Sequence, residues 1–430
     1  MSLHTHCYAA FRRRFARGSR GWQAVAAAGV LAVALVAGPG AHAQPAQSPA
    51  GTAPPSKSLP EQGAESRSGA ASTPKIDAAA LKSACLAAIA AARSDRRGLP
   101  DAVTRCQDAV HAAPEDIELT FDYGQILSDA LVFDELAVLQ FRRAAEKGHA
   151  GAENALGIAL VNGRGVEADP AEGVRWIGKA AEQGLADAQN NLGSIHAAGI
   201  GVPKDLATAA AWFRKAAEAG DAQGAYNVAE AYAYGEGLAQ DWPSAIAWYE
   251  KASGQGMARA DYRLSRIFAE GLGIAADPAR GFASLQKAAE GGYPPAAFDL
   301  GEAYRIGNGV AVDAAEATRW YRLAATRGHA AAQFFLALGL AQESQFAESA
   351  EWLGRAAEQG HPDAQYMMGL FLAEGLGGGA PDPDKAVEWY RKAAAQGQRD
   401  AITALETSSA DGEPAGDAAK PSEADPPEAK

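Results

Sequence analysis

Between residues 149 and 397 the apolar positions follow a helical spacing, and that spacing itself recurs. The segment 185–220 shows the unit most clearly. Ala188, Leu192 and His196 stand four apart, one turn each along a single face. A glycine-containing break follows, and a second amphipathic run carries Trp212 and the Ala216-Ala217 pair up to Gly220. The pattern predicts two short helices joined by a tight loop. A small residue opens the first helix of every unit, at Ala152, Ala188, Gly224, Ala260, Ala296, Ala332 and Ala364. One turn on come Leu156, Leu192, Val228, Leu264, Leu300, Leu336 and Met368, and after another turn Leu160, His196, Tyr232, Phe268, Tyr304, Leu340 and Leu372. These stripes predict a buried face on which the small residues let neighbouring helices approach closely.

The loops repeat as well. Gly163-Arg164-Gly165-Val166, Gly199-Ile200-Gly201-Val202, Gly235-Glu236-Gly237-Leu238, Gly271-Leu272-Gly273-Ile274 and Gly307-Asn308-Gly309-Val310 each follow a first helix. The first glycine suits a left-handed helix end, and the apolar residue is expected to tuck into the core. Asp169, Asp205, Asp241, Asp277 and Asp313 are placed to cap the second helix, with Pro170 and Pro278 at its first position. Asp169 with Glu172, and Asp313 with Glu316, spell capping boxes. Trp176, Trp212, Trp248, Trp320, Trp352 and Trp389 share one position of the second helix; a recurring position is expected in the core rather than in a ligand box.

Gly148, Gly184, Gly220, Gly256, Gly292 and Gly328 end successive units at a period of 36; Gly360 follows after 32 and Gly397 after 37. A fixed period of about 20–50 residues marks a solenoid or array. The expected fold class is therefore all-α, a solenoid of antiparallel helix pairs. The pattern divides the chain into a helix pair at 75–113, a degenerate repeat at 114–148, and repeats at 149–184, 185–220, 221–256, 257–292 and 293–328. A shortened repeat at 329–360, which lacks Gly-x-Gly and needs a tighter turn, and a looser repeat at 361–397 complete the array.

The flanks read differently. Arg12, Arg13, Arg14, Arg17 and Arg20 precede an apolar run at 24–37 and the small residues of Ala41-His42-Ala43, the arrangement of a secretory signal peptide over 1–43. Arg12-Arg13-Arg14-Phe15 also resembles a twin-arginine pattern, leaving the export route open, as is the cleavage itself. Residues 44–74 are rich in Pro, Ala, Ser and Gly and are expected to be a disordered linker; residues 398–430 are expected to be a disordered acidic tail, with a short closing turn near 400–406. The chain carries a net charge of −13. An acidic surface repels nucleic acid and anionic lipid, so neither is an expected partner, and no stable membrane insertion is expected after signal cleavage. Cys85 and Cys106 remain once Cys7 leaves with the signal. In an oxidising compartment the pair favours a disulfide over free thiols, stapling two helices if these run antiparallel.

The unit made of Ala, Leu-Gly, Gly-x-Gly-Val, Asp, Ala, Trp-Tyr/Phe-x-Lys-Ala-Ala and a final Gly resembles the Sel1-like repeat, a member of the tetratricopeptide-type helical solenoids. The resemblance covers 149–397. It implies a right-handed α-α superhelix that scaffolds protein complexes, and its bacterial envelope members act in signalling, polysaccharide export and host contact. A subgroup with a disulfide in every repeat is linked to penicillin binding. The main repeats here hold no cysteine, so that role does not carry over.

Little chemistry stands out. The Gly-x-Gly loops follow helices rather than strands, so they are turns and not phosphate cradles. His149, His329 and His361 recur behind a terminal glycine and are expected at helix starts or in packing, and His196 in the core. No motif calls for a cofactor, a metal or a catalytic group. The candidates for binding a protein partner are the variable residues of the first helices, which line the concave face in such solenoids: Tyr226, Glu230, Tyr262, Arg266, Phe298, Glu302, Arg305 and Tyr366. Packing between repeats is the alternative role for the aromatics at this position, Phe334 included. The expected function is a non-catalytic, exported scaffold or adaptor with protein partners in the envelope, located in the periplasm, with secretion as the alternative. The alternatives are a periplasmic regulator of a membrane sensor and an accessory factor in cell-wall or polysaccharide assembly.

Overall fold

A computed structural model describes residues 77–130 and 134–410. The expected signal peptide, the linker and the end of the acidic tail lie outside the described residues. Within them every regular element is helical. Helices α1 (Ala78–Ser94) and α2 (Leu99–Ala112), joined by a 3-10 turn at Arg96–Gly98, form the first pair, and α3 (Ile117–Asp129) and α4 (Asp134–Ala145) the second. Seven further pairs follow: α5 (Ala150–Asn162) with α6 (Pro170–Glu182), α7 (Ala186–Ala198) with α8 (Leu206–Glu218), α9 (Ala222–Tyr234) with α10 (Trp242–Gly254), and α11 (Ala258–Glu270) with α12 (Pro278–Glu290). Then come α13 (Pro294–Ile306) with α14 (Ala314–Thr326), α15 (Ala330–Gln342) with α16 (Phe346–Glu358), and α17 (Pro362–Glu374) with α18 (Pro383–Ala395). Each helix packs chiefly on the one before and the one after it, which is the solenoid expected.

The helices of these seven pairs share one length because the same signals bound each of them. Gly163, Gly199, Gly235, Gly271 and Gly307 end first helices at positive φ. Asp169, Asp205, Asp277 and Asp313 accept backbone N–H groups at the start of the next helix. Asp241 departs from the pattern and takes the Ser244 hydroxyl instead. The two capping boxes close only on the Asp side. Glu172 turns away to the Trp176 indole and to Arg142 of α4, and Glu316 turns to Arg319, because each finds a full charge or a half-buried donor within reach. The shortened repeat makes its turn with Ser344 at φ 63°, the one non-glycine residue at positive φ among the described residues.

The core combines small and aliphatic side chains with buried aromatics such as Tyr249, Phe268 and Phe371. Ala152, Ala188, Ala260, Ala296, Ala332 and Ala364 are fully buried, with Leu156 and Leu336 above them. Trp320 and Trp352 are buried, while Trp176, Trp212, Trp248 and Trp389 are half-buried. Five of these indoles lie under the cation three residues on, as in Lys215 at 3.8 Å from the Trp212 ring and Lys392 at 4.0 Å from Trp389. Repeats are also tied by amides. The Gln189, Gln333 and Gln365 side chains each donate to a carbonyl eight residues back, at Ala181, Ala325 and Ala357 of the preceding helix.

One sequence expectation needs correction. Residues 399–410, assigned to the disordered tail, form a further helix, α19 (Arg399–Ala410). Gln398 caps it by accepting the Ala401 N–H, and Ala401 is buried where the helix packs against α18. On α1, Cys85, Ala88 and Ile89 fill the buried face, while Leu86 is 42% exposed. Cys85 and Cys106 are joined by a disulfide and are fully buried between α1 and α2. In the protein without reductant both are expected to take no alkylating label, and to take it after reduction and unfolding. Labelling of Cys85 and Cys106 without reductant would contradict the bridge.

His149, His329 and His361 are N-caps: each Nδ1 accepts a backbone N–H, from Ala152 at 3.0 Å, Ala332 at 3.2 Å and Ala364 at 3.3 Å. The rings of His329 and His361 also stack 4.9 Å from Phe298 and Phe334. Burial holds both imidazoles below the usual histidine range, helped at His329 by His361 and opposed at His361 by Asp363. The unfolded chain therefore takes up these protons first, near pH 6.5. Stability is expected to be full above that pH and to fall as the pH drops toward the folded-state values. Urea midpoints at about pH 7.5 and about pH 5.5 check this. Exchanging both residues for Asn, which keeps a cap, should flatten the difference, and an unchanged slope would refute it.

Candidate functional site

The first helices of successive units lie side by side, and the residues five and six places after each cap meet across the gap. Tyr226 of α9 accepts from Arg263 Nε of α11 at 3.1 Å, and Tyr262 of α11 donates to Asp299 of α13 at 2.7 Å. The same positions nearer the N-terminus hold amides. Asn191 of α7 donates to Asn154 of α5 at 3.1 Å, and Asn227 of α9 donates to Asn190 of α7 at 2.8 Å. The stripe thus passes from amides to Tyr/Arg/Asp and then to Phe334, Phe335 and Leu338 on α15.

Besides Tyr262, the partner candidates fall into two networks and two single placements. Tyr226 is only 2% exposed; its ring meets Tyr249 edge-on, and Arg259 lies 4.7 Å above it. Burial pushes its phenol up to about 12, against the pull of Arg263. Glu230 takes the Tyr249 hydroxyl and, at 3.0 Å, Arg263 Nη2, so it joins three helices. Glu302 repeats this two units on, accepting from the Tyr321 hydroxyl and from Arg305, whose guanidinium lies 5.6 Å from the Phe335 ring. Phe298 stacks on His329, with Tyr321 and Phe335 close by. Tyr366 is half-buried beside Tyr390 at 5.7 Å. Arg266 pairs with Glu270 on its own helix at 3.1 Å.

The structure therefore brings Tyr226 with Glu230, and Phe298 with Glu302 and Arg305, and it turns Tyr226 into the core. Asp299, which the sequence reading did not single out, sits beside Tyr262 with no cation of the described residues within ion-pair distance. Burial raises its carboxyl above the usual carboxylate range, while the Tyr262 hydroxyl and Arg266 work against the shift. These arrangements pair the donors and acceptors of the candidates with one another, mostly across helices. No cluster of His, Cys, Asp and Glu suited to a metal ion occurs among the described residues, and no described helix is long and apolar enough to cross a membrane.

One cavity opens beside α5. It holds about 460 Å³ between α1, α3, α4 and α5, with Ala137, Val138, Phe141 and Ala159 as apolar lining and Arg93, Gln125, Asn162 and Arg164 at the rim. The amide positions and this cavity escaped the sequence reading, which weighed aromatics and charges. The available signal was Asn154, Asn190, Asn191 and Asn227 recurring at neighbouring positions of three units.

Comparison with known proteins places these repeats. The family profile described as Sel1 repeat matches residues 150–185, 186–221, 222–257, 258–293, 294–329, 330–361 and 362–398, more than half of the chain. The crystal structure of a Sel1 repeat protein from Oxalobacter formigenes is 30% identical, over 70% of this chain and 89% of that one, with a TM-score of 0.52. A protective antigen present in uropathogenic Escherichia coli strains, displaying an SLR fold, is 30% identical over 75% of this chain and 70% of that one, with a TM-score of 0.49. No curated protein matches the sequence.

Proposed function

The chain belongs to the Sel1 repeat family, whose arrays serve as protein-interaction scaffolds, and from that premise we propose that it is a non-catalytic adaptor exported to the bacterial periplasm. The observation that carries this reading is the contrast within each unit. Frame residues recur, while the stripe on the first helices changes from Asn190 to Tyr262 to Tyr366, all half-buried, at one position. A surface that varies on a constant frame recognises; it does not merely fold. The basic and apolar segment of residues 1–43 supports export, and the buried Cys85–Cys106 bridge suits an oxidising compartment.

The test is fractionation followed by crosslinking in intact cells. The protein is expected in the periplasmic fraction, with an envelope protein crosslinked to the repeats at native abundance. Recovery in the cytosol would remove the localisation, and absence of any crosslinked protein would remove the adaptor role.

A further inference from the structure

Helices α5, α7 and α9 present side-chain amides that hold one another. Beyond the two bonds already described, Gln223 Nε2 donates to Asn227 Oδ1 at 2.9 Å. A carboxamide carries two N–H hydrogens and two acceptor lone pairs. After their mutual bonds, Asn154 and Asn190 keep their Nδ2 hydrogens, and Asn191 and Gln223 keep their side-chain oxygens. All five side chains are half-buried, and exposed Ile158 and Ser194 flank them. The cross-repeat bonds fix their rotamers, so little ordering remains to be done on binding.

The chemistry of the row selects its occupant. Free N–H and C=O groups side by side are the complement of a peptide group, and the amides bring no charge to recognise. Packed helices lie about 8–10 Å apart. Three residues of an extended polyproline II chain rise about 9 Å. One amide rung therefore meets every third peptide group of a chain laid across the helices. At the α5 end the row adjoins the cavity of about 460 Å³, which is lined by Ala155 and Ile158, one and four places after Asn154 on the same helix; Ile158 is 38% exposed. Arg164 at the cavity rim is already engaged by Asp134 and by the Ser128 carbonyl. Ala137, Val138, Phe141, Ala155 and Ala159 give the cavity an apolar floor, with the charged Arg93 and Asp129 beside it.

We propose that the face formed by α5, α7 and α9 binds an extended polypeptide segment through its backbone, with one apolar side chain of that segment seated in the cavity beside α5. This rests on the scaffold reading and names the occupant of one face.

The probe comes from panning a displayed library of random peptides, about a dozen residues long, against the full chain. Enriched peptides are expected to share one large apolar residue and to vary elsewhere. For a labelled peptide from that set, the double variant Asn190→Ala/Asn227→Ala should weaken binding about tenfold, with an unchanged circular dichroism spectrum. N-methylation of single peptide bonds in the probe should weaken it comparably at every third bond, and this arm does not depend on the variant folding. Ile158→Glu should weaken it as well. No enriched peptide, or binding indifferent to both the amide variant and N-methylation, overturns the proposal. So does binding of peptidoglycan glycan strands that fails in the same variants while no peptide is enriched. In cells, a photoreactive residue at Ser194 should crosslink the partner. Crosslinks from Gln286 on the second-helix side with none from Ser194 would overturn this assignment and leave the adaptor reading standing; none from either position fails that reading instead.

Discussion

Gly237→Ala is expected to destabilise the array by roughly 3 kcal/mol or more, far beyond a usual surface substitution. Gly237 has φ +76°, and a Cβ there would stand 2.0 Å from the Leu206 carbonyl oxygen. Leu206 opens α8 in the preceding unit, so the obstacle is backbone that cannot rotate away. The left-handed conformation alone costs an alanine about 1–2 kcal/mol. The overlap must then be relieved by lifting one repeat off the next. The second glycine of other loops has the same duty: Gly165 lies against Asp134, Gly201 against Pro170 and Gly273 against Trp242. Gly309 differs, since its nearest neighbour would be the Phe282 ring at 3.4 Å. Gly309→Ala should therefore carry the backbone cost alone. Gly178→Ala provides the opposite sign. It sits inside α6 with nothing within 4 Å, and the exchange should add about 0.5–1 kcal/mol. Urea unfolding of the three variants orders them, and equal losses for Gly237→Ala and Gly309→Ala would show that the overlap is not the cause.

That glycine also marks how far the sequence could be read. The first glycine of each loop was legible because a helix end needs a left-handed residue, a local requirement. The contact made by the second glycine reaches into the previous unit, and only the stacking reveals it. The fold class was open to reading for the same local reason: a period of 36, with Ala and Leu four apart, leaves stacked helix pairs as the way to bury the stripe. Side-chain partners were not. Glu172 has the spacing of a capping box yet bonds Trp176 and Arg142, a choice made by a helix 30 residues away. The Asn190–Asn227 pair spans 37 residues, one more than the period, because the bond crosses from one helix to the next at neighbouring positions. Helix α19 was missed because its apolar residues are few. It is held by what it lies on: Ala401 and Leu405 against α18.

Phe334→Ala should remove about 3–5 kcal/mol from the C-terminal part of the array while leaving its N-terminal part nearly unmoved. The Phe334 ring is 2% exposed, stacks 4.9 Å from the His361 ring and meets Phe335 edge-on at 5.6 Å. Truncation opens a cavity at the joint of α15 and α17 and strips the imidazole that caps α17 of its stacking surface. In a compact domain such a loss would lower one cooperative transition. Here each helix packs chiefly on its chain neighbours, so nothing couples α15 to α2 except the units between them. Hydrogen exchange should show early loss of protection in α15, α16 and α17 with α5 to α8 unchanged, and urea unfolding should split into two steps. The buried Cys85–Cys106 bridge ties down the far end and widens the separation. A single transition shifted as a whole, with protection lost evenly from α1 to α18, would mean that the repeats fold as one unit. The cross-repeat bonds of Glu230, Asp299 and the asparagines would then be carrying cooperativity along the array, and not only holding a surface in place.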